Sequence, residues 1–79
     1  MKPVTVYGTS SCVYCRMVKE FFKENNVQFT EKDVYMDEAA RAEMVSMSGQ
    51  SGVPVIKIGD DSLVIGFDKM KIKELLGLQ

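Results

Sequence analysis

Apolar and polar residues alternate along this chain with two different periods, and each change of period marks a new element. Val4 and Val6, flanked by Thr5 and Tyr7, give a short strand over residues 3–7, rich in β-branched and aromatic side chains. Gly8-Thr9-Ser10-Ser11 has the composition of a loop, and Ser10 or Ser11 is placed to cap a helix. Over residues 13–25 the apolar positions are 14, 17, 18, 21 and 22, which is helical spacing; Arg16, Lys19, Glu20, Lys23 and Glu24 fill the other face. Val27-Gln28-Phe29-Thr30-Glu31 alternates as a second strand. Asp37 and Glu38 open a second helix, continued by Ala39, Ala40, Ala42, Met44 and Val45 and broken by Ser48-Gly49-Gln50-Ser51-Gly52. Residues 53–58 and 62–66 read as two strands around the turn Gly59-Asp60-Asp61. Asp68 caps a last helix over 69–76, which Gly77 ends.

The order is βαβ-ββα. A helix joins the first two strands, so they should lie parallel with a right-handed crossover, while the last two form an antiparallel hairpin. The expected product is a single α/β domain over residues 1–79: a four-stranded mixed sheet flanked by three helices.

Composition narrows the possible roles. The chain has 79 residues, 46% of them hydrophobic, so a core can form without disulfide staples. The formal net charge is −1, which argues against nucleic acid as the main partner. No apolar run approaches the ~20 residues of a membrane span, and no apolar leader precedes the first strand. A cytoplasmic location is therefore expected, without nucleic acid or membrane contact. Six methionines are expected to act mainly as adaptable core filling, and Lys69, Lys71 and Lys73 to line a solvated helix face.

The chemistry is concentrated in Cys12-Val13-Tyr14-Cys15, which holds the only two cysteines. In a reducing compartment such a pair is rarely structural, and the loop it would close is too short to stabilise much. The first thiol stands at a helix start, where unpaired N–H groups and the helix dipole favour an anion. Cys15 lies one turn further in, expected to be less exposed and able to donate toward the Cys12 sulfur. Arg16 and Lys19 add positive charge nearby. This suits thiol–disulfide exchange: Cys12 attacks, Cys15 resolves. The alternative of a different class is a metal or iron–sulfur module shared by two chains. One Cys-x-x-Cys supplies two soft ligands where structural zinc takes four, and the chain has no histidine.

Three segments extend the picture: residues 6–16 around the cysteine pair, Gly52-Val53-Pro54-Val55, and Ile65-Gly66-Phe67-Asp68. Together they resemble the small glutaredoxin-like redoxins of the thioredoxin-fold superfamily over nearly the whole chain. The resemblance implies a thioredoxin-like fold and a dithiol electron carrier that reduces protein disulfides or glutathione mixed disulfides. By it, Cys12 is the nucleophile and Cys15 the resolving thiol. Pro54 would be cis and face the pair, and Val53 would offer its backbone to an extended peptide or to glutathione. Tyr14, Gln50, Gly66, Phe67 and Asp68 complete the implied substrate site, although Asp68 is first a helix cap and Gln50 is expected rather to cover its own loop. Tyr14 could instead pack on its helix, and Phe67 could be a lip of the groove or a core residue. No bound cofactor or metal is implied; glutathione is a possible co-substrate, and glutathione or thioredoxin reductase the possible electron source. A monomer is expected. Four features depart from the usual glutaredoxin pattern. Val13 replaces a proline, no lysine shortly precedes Cys12, Gly52 replaces a threonine, and Gly66-Phe67 replaces Gly-Gly. The Gly-Phe step resembles redoxins that feed ribonucleotide reductase and draw on thioredoxin reductase. These departures weaken the expectation of strong glutathione binding.

Overall fold

The computed structural model describes residues 2–78 and has seven elements in the expected order. They are β1 (Val4–Gly8), α1 (Val13–Glu24), β2 (Thr30–Asp33), α2 (Glu38–Ser48), β3 (Val55–Ile58), β4 (Ser62–Ile65) and α3 (Lys69–Leu76). The sheet order is β2-β1-β3-β4. β1 and β2 are parallel, with Val6 opposite Glu31, and β1–β3 and β3–β4 are antiparallel. No described helix is long and apolar enough to cross a membrane.

Alternation within the strands divides the core into two layers. Val4, Val6, Ile56, Ile58 and Val64 pack with Val18, Phe21 and Phe22 of α1 and Ile72 of α3. Tyr7 and Val55 form a second cluster with Ala40 and Met44 of α2. α1 and α3 therefore cover one face of the sheet and α2 the other. Tyr7 fastens α2 to the sheet. Its hydroxyl donates to Glu43, Lys32 Nζ donates to the same carboxylate at 2.9 Å, and the Lys32 ammonium lies 5.6 Å from the Tyr7 ring centre.

Two helix caps follow the sequence reading. Asp37 accepts from the N–H groups of Ala39 and Ala40 at 3.0 and 3.1 Å, and Asp68 accepts from Lys71 N–H at 3.2 Å. Gly77, with φ 68°, takes the left-handed conformation that ends α3 at low steric cost.

Other expectations need correction. The second strand lies at Thr30–Asp33 rather than 27–31. Val27 is buried, but its N–H donates back to the Phe22 carbonyl at 2.8 Å, so it belongs to the turn that closes α1. Pairing with β1 starts only at Thr5–Thr30. Neither Ser10 nor Ser11 caps α1; Cys12 does. The buried stripe of α1 is Cys15, Val18, Phe21 and Phe22, with Tyr14 and Met17 exposed, because the helix packs on β1 through positions 15 and 18. Of the methionines, Met44 is buried and Met47 packs against the second cluster, whereas Met17, Met36 and Met70 are exposed.

Candidate active site

β1 ends at Gly8, and the chain turns through residues 9–11 into α1, which delivers Cys12 to the start of the helix. Cys12 has extended backbone angles, φ −84° and ψ 117°, and its sulfur accepts from Cys15 N–H at 3.1 Å. The sulfur thus holds the capping position that Ser, Thr or Asp usually fills. A thiolate there would receive an N–H of the first helical turn, where the dipole favours negative charge. Both cysteines are free thiols, Cys12 half-buried and Cys15 at 1% exposure.

The two sulfurs have different surroundings. Burial pushes the Cys15 thiol up from 9.0 to about 11, and its hydrogen bond with Cys12 adds to the rise. A Thr9 backbone hydrogen bond and the Lys19 ammonium oppose it. At neutral pH Cys15 is therefore a protonated donor, able to steady a thiolate on Cys12 and unable to compete with it as nucleophile. This asymmetry suits ordered exchange: an accessible sulfur attacks first and a shielded one second.

Room for Cys15 comes from Gly8, the last residue of β1 rather than the first of the expected loop. A Cβ built on Gly8 would lie 2.7 Å from Cys15 Sγ and 3.1 Å from its Cβ. The period-two alternation carried the signal: Gly8 continues the Val4–Val6 face toward α1, and a glycine there marks close approach. Beside it a polar cleft of about 270 Å³ is lined by Gly8, Thr9, Ser10, Lys19, Glu31 and Asp33, with Lys19 paired to Glu31.

The Val53–Pro54 peptide is cis, as the resemblance implied. Tyr7 pairs with Val55, so the loop before β3 lies beside the end of β1 that leads to Cys12. Neither the N–H nor the carbonyl of Val53 has a partner among the described residues, while the Pro54 carbonyl accepts from Gly66 N–H at 2.8 Å. An open groove of about 350 Å³ adjoins this loop, walled by Thr9, Tyr35, Arg41, Ser51 and Val53 among others. Tyr35 and Arg41 were not singled out in the sequence, since nothing local sets them apart from other surface residues.

The remaining expected residues are less uniform. Tyr14 is 61% exposed on α1, free to meet a substrate. Gln50 is turned onto its own loop: Nε2 donates to Gly52 O at 3.1 Å and Oε1 accepts from Gly52 N–H at 2.7 Å. Phe67 is half-buried and meets the Phe21 ring edge-on at 5.9 Å, so it packs against the core. Gly66, at φ 82°, connects the Pro54 loop to that turn. The Asp68 carboxylate is exposed while it caps α3. Among the described residues no three of His, Cys, Asp and Glu stand together as a metal site, so a metal reading would draw its further ligands from another chain.

Comparison with known proteins agrees with this geometry. The glutaredoxin family model matches residues 4–63. A glutaredoxin-like 8.6 kDa protein from the rubredoxin operon of Clostridium pasteurianum, itself uncharacterised, is 41% identical, covering 92% of this chain and 96% of its own. The glutaredoxin-like protein NrdH of Lactococcus lactis is 34% identical, covering 91% and 97%. A mutant of the thioredoxin-like protein BC3987 superposes over the full length of both chains with a TM-score of 0.90 and 37% identity.

Proposed function

Since the chain belongs to the glutaredoxin family and is a thiol–disulfide oxidoreductase of thioredoxin-like fold, we propose that it is a small dithiol electron carrier working in a reducing cytoplasm. Its substrates are protein disulfides or glutathione mixed disulfides. Cys12 thiolate attacks a substrate disulfide, the S–S bond breaks, and one substrate sulfur leaves as a thiolate that takes up a proton. Cys15 then gives up its proton and attacks the Cys12 sulfur. The mixed disulfide breaks, the second substrate thiol departs, and a Cys12–Cys15 disulfide remains, so two electrons have passed to the substrate. No resident cofactor takes part; a thiol donor restores the pair. The observation that carries this reading is the asymmetry of the two sulfurs, one capping α1 and half-open, the other buried and protonated.

The unpaired backbone of Val53 suits an extended peptide or glutathione bound by strand-like hydrogen bonds, and Tyr14, exposed two residues after Cys12, offers a ring to the same substrate. Arg41 is a cation in the adjoining groove and suits a carboxylate of either ligand. Two observations favour a second reading, a redoxin that serves ribonucleotide reductase and is recycled by thioredoxin reductase. The Gln50 amide is engaged by its own loop, and Phe67, after Gly66, fills core space beside Phe21.

Insulin or hydroxyethyl disulfide reduction, coupled to NADPH, tests both readings. The Cys12→Ser variant is expected to lose all turnover, and Cys15→Ser, without added glutathione, to stop at a trapped mixed disulfide visible by mass spectrometry. Unchanged turnover of Cys12→Ser overturns the carrier reading. Supplying glutathione with glutathione reductase in one assay and thioredoxin reductase in the other distinguishes the two donors.

A further inference from the structure

We infer that Gly8 is a positioning residue for the resolving step, its missing side chain forming the seat of the Cys15 sulfur. The proposal rests on the two-step dithiol reading above. On β1 the residues facing α1 are Val4, Val6 and Gly8. The first two fill that space with side chains, whereas at the third it is taken by Cys15, which is 1% exposed. A methyl group on Gly8 would stand 2.7 Å from Cys15 Sγ, far inside van der Waals contact, and 3.1 Å from its Cβ.

The backbone holds Gly8 in place, so the sulfur is the group that must move. Gly8 is paired opposite Asp33, and its carbonyl accepts from Val34 N–H at 3.0 Å. Cys15 lies in the first turn of α1 and its N–H is committed to the Cys12 sulfur at 3.1 Å. A displaced Cys15 sulfur would leave its alignment with the mixed disulfide on Cys12. In that step Cys15 loses its proton, the bond between Cys12 and the substrate sulfur breaks, the Cys12–Cys15 bond forms, and the substrate sulfur leaves as a thiolate. Such intramolecular displacement depends steeply on geometry; a misplacement of about 1 Å can cost on the order of a hundredfold in rate. With the Cys15 sulfur removed, as in Cys15→Ala, the first attack by Cys12 on an external disulfide no longer depends on where that sulfur sits, so it reports any other effect of Gly8 separately.

The test separates the two steps in the intact chain. The unsubstituted protein is first shown to form the Cys12–Cys15 disulfide on reaction with a model disulfide; absence of that product sinks the dithiol reading itself, independently of Gly8. In Gly8→Ala the resolving rate, read as decay of the mixed disulfide, is expected to fall roughly tenfold or more. The rate of Cys12 attack, measured in the Cys15→Ala background, is expected to change by less than about twofold when Gly8→Ala is added. Equal slowing of both steps, or an unchanged resolving rate, overturns the assignment. Stability supplies a second readout. If Gly8→Ala weakens or prevents folding, the Gly8→Ala/Cys15→Ala double variant is expected to recover most of the loss, because the sulfur is gone. Failure to recover overturns the proposal.

Discussion

The Cys15 thiol keeps its proton to about 11 in the folded protein, against 9.0 ordinarily, first because it is buried and then because it bonds to Cys12. Between those values the folded chain holds more protons than the unfolded one, so stability falls as pH rises. The contribution is complete below about pH 9 and lost by about pH 11. The Tyr7 hydroxyl acts in the same direction, its ionisation delayed by burial and then by the Glu43 carboxylate. Urea unfolding midpoints of the reduced protein are therefore expected to drop between about pH 8 and about pH 11, and Cys15→Ala and Tyr7→Phe each to flatten the drop. A profile equally steep in both variants would assign the alkaline loss to other groups. The same shielding explains a chemical order: alkylation of the native reduced protein at neutral pH should label Cys12 alone, and unfolding should release Cys15.

At the scale of elements, the helix ends carry the clearest energetics. Asp68 accepts a hydrogen bond from Lys71 N–H and carries an exposed charge near the Gly66-Phe67 turn, so capping and ligand binding need separation. Asn caps about as well as Asp, whereas Ala costs about 1 kcal/mol. Asp68→Asn should leave the urea midpoint nearly unchanged and Asp68→Ala should lower it. A rise in KM for glutathione disulfides in both variants would identify the charge itself as a binding group; a rise in Ala alone would leave only the cap. Val13 is the first residue of α1 and 62% exposed, a position where proline suits the helix and lacks only an N–H that no helical carbonyl would accept. Val13→Pro is expected to raise stability by about 0.4–1 kcal/mol, checked by chemical denaturation, and to move the dithiol potential measured against a glutathione redox buffer.

These helix ends are also what was most legible in the sequence. Asp37, Asp68 and Gly77 act locally, through bonds to residues within a few positions, so their side chains and spacing suffice. The second strand starts later than the alternation predicts, because Val27-Gln28-Phe29 alternates like a strand although its apolar residues pack outside the pairing region, while the polar Thr30–Asp33 gains its strand character from β1. Cys12 and Cys15 were legible by type and spacing, and Pro54 by resemblance. Gly8 under Cys15, the Tyr7–Glu43 tie across 36 positions, and Arg41 on the groove that Val53 also lines were not, since each depends on elements brought together only by the tertiary fold.

For the whole molecule, stability depends on few residues. A chain of this length is expected to be stable by roughly 4–12 kcal/mol. Ile72 is the one fully buried residue of α3 and joins it to Val64 and Phe22 in the larger core cluster. Ile72→Ala should cost about 2–5 kcal/mol through lost burial and a residual cavity, a large part of the total. Denaturant titration with circular dichroism would show the lowered midpoint, and a loss under about 1 kcal/mol would mean that α3 contributes little to the cooperative unit. Activity of the fraction still folded should persist, because Cys12 and Val53 are carried by β1, α1 and the loop before β3.

The pairing of Tyr7 with Val55 has an evolutionary consequence. The turn that carries Cys12 and the cis-proline loop hang from adjacent central strands, and residues 9–11, 13, 14 and 49–52 contribute to neither core cluster. Substitutions in those stretches can alter electron affinity or partner choice while the packing that folds the chain stays the same. A lineage could thus exchange one redox partner for another through a series of individually viable intermediates, with the exposed Val13 and Tyr14 open places to start.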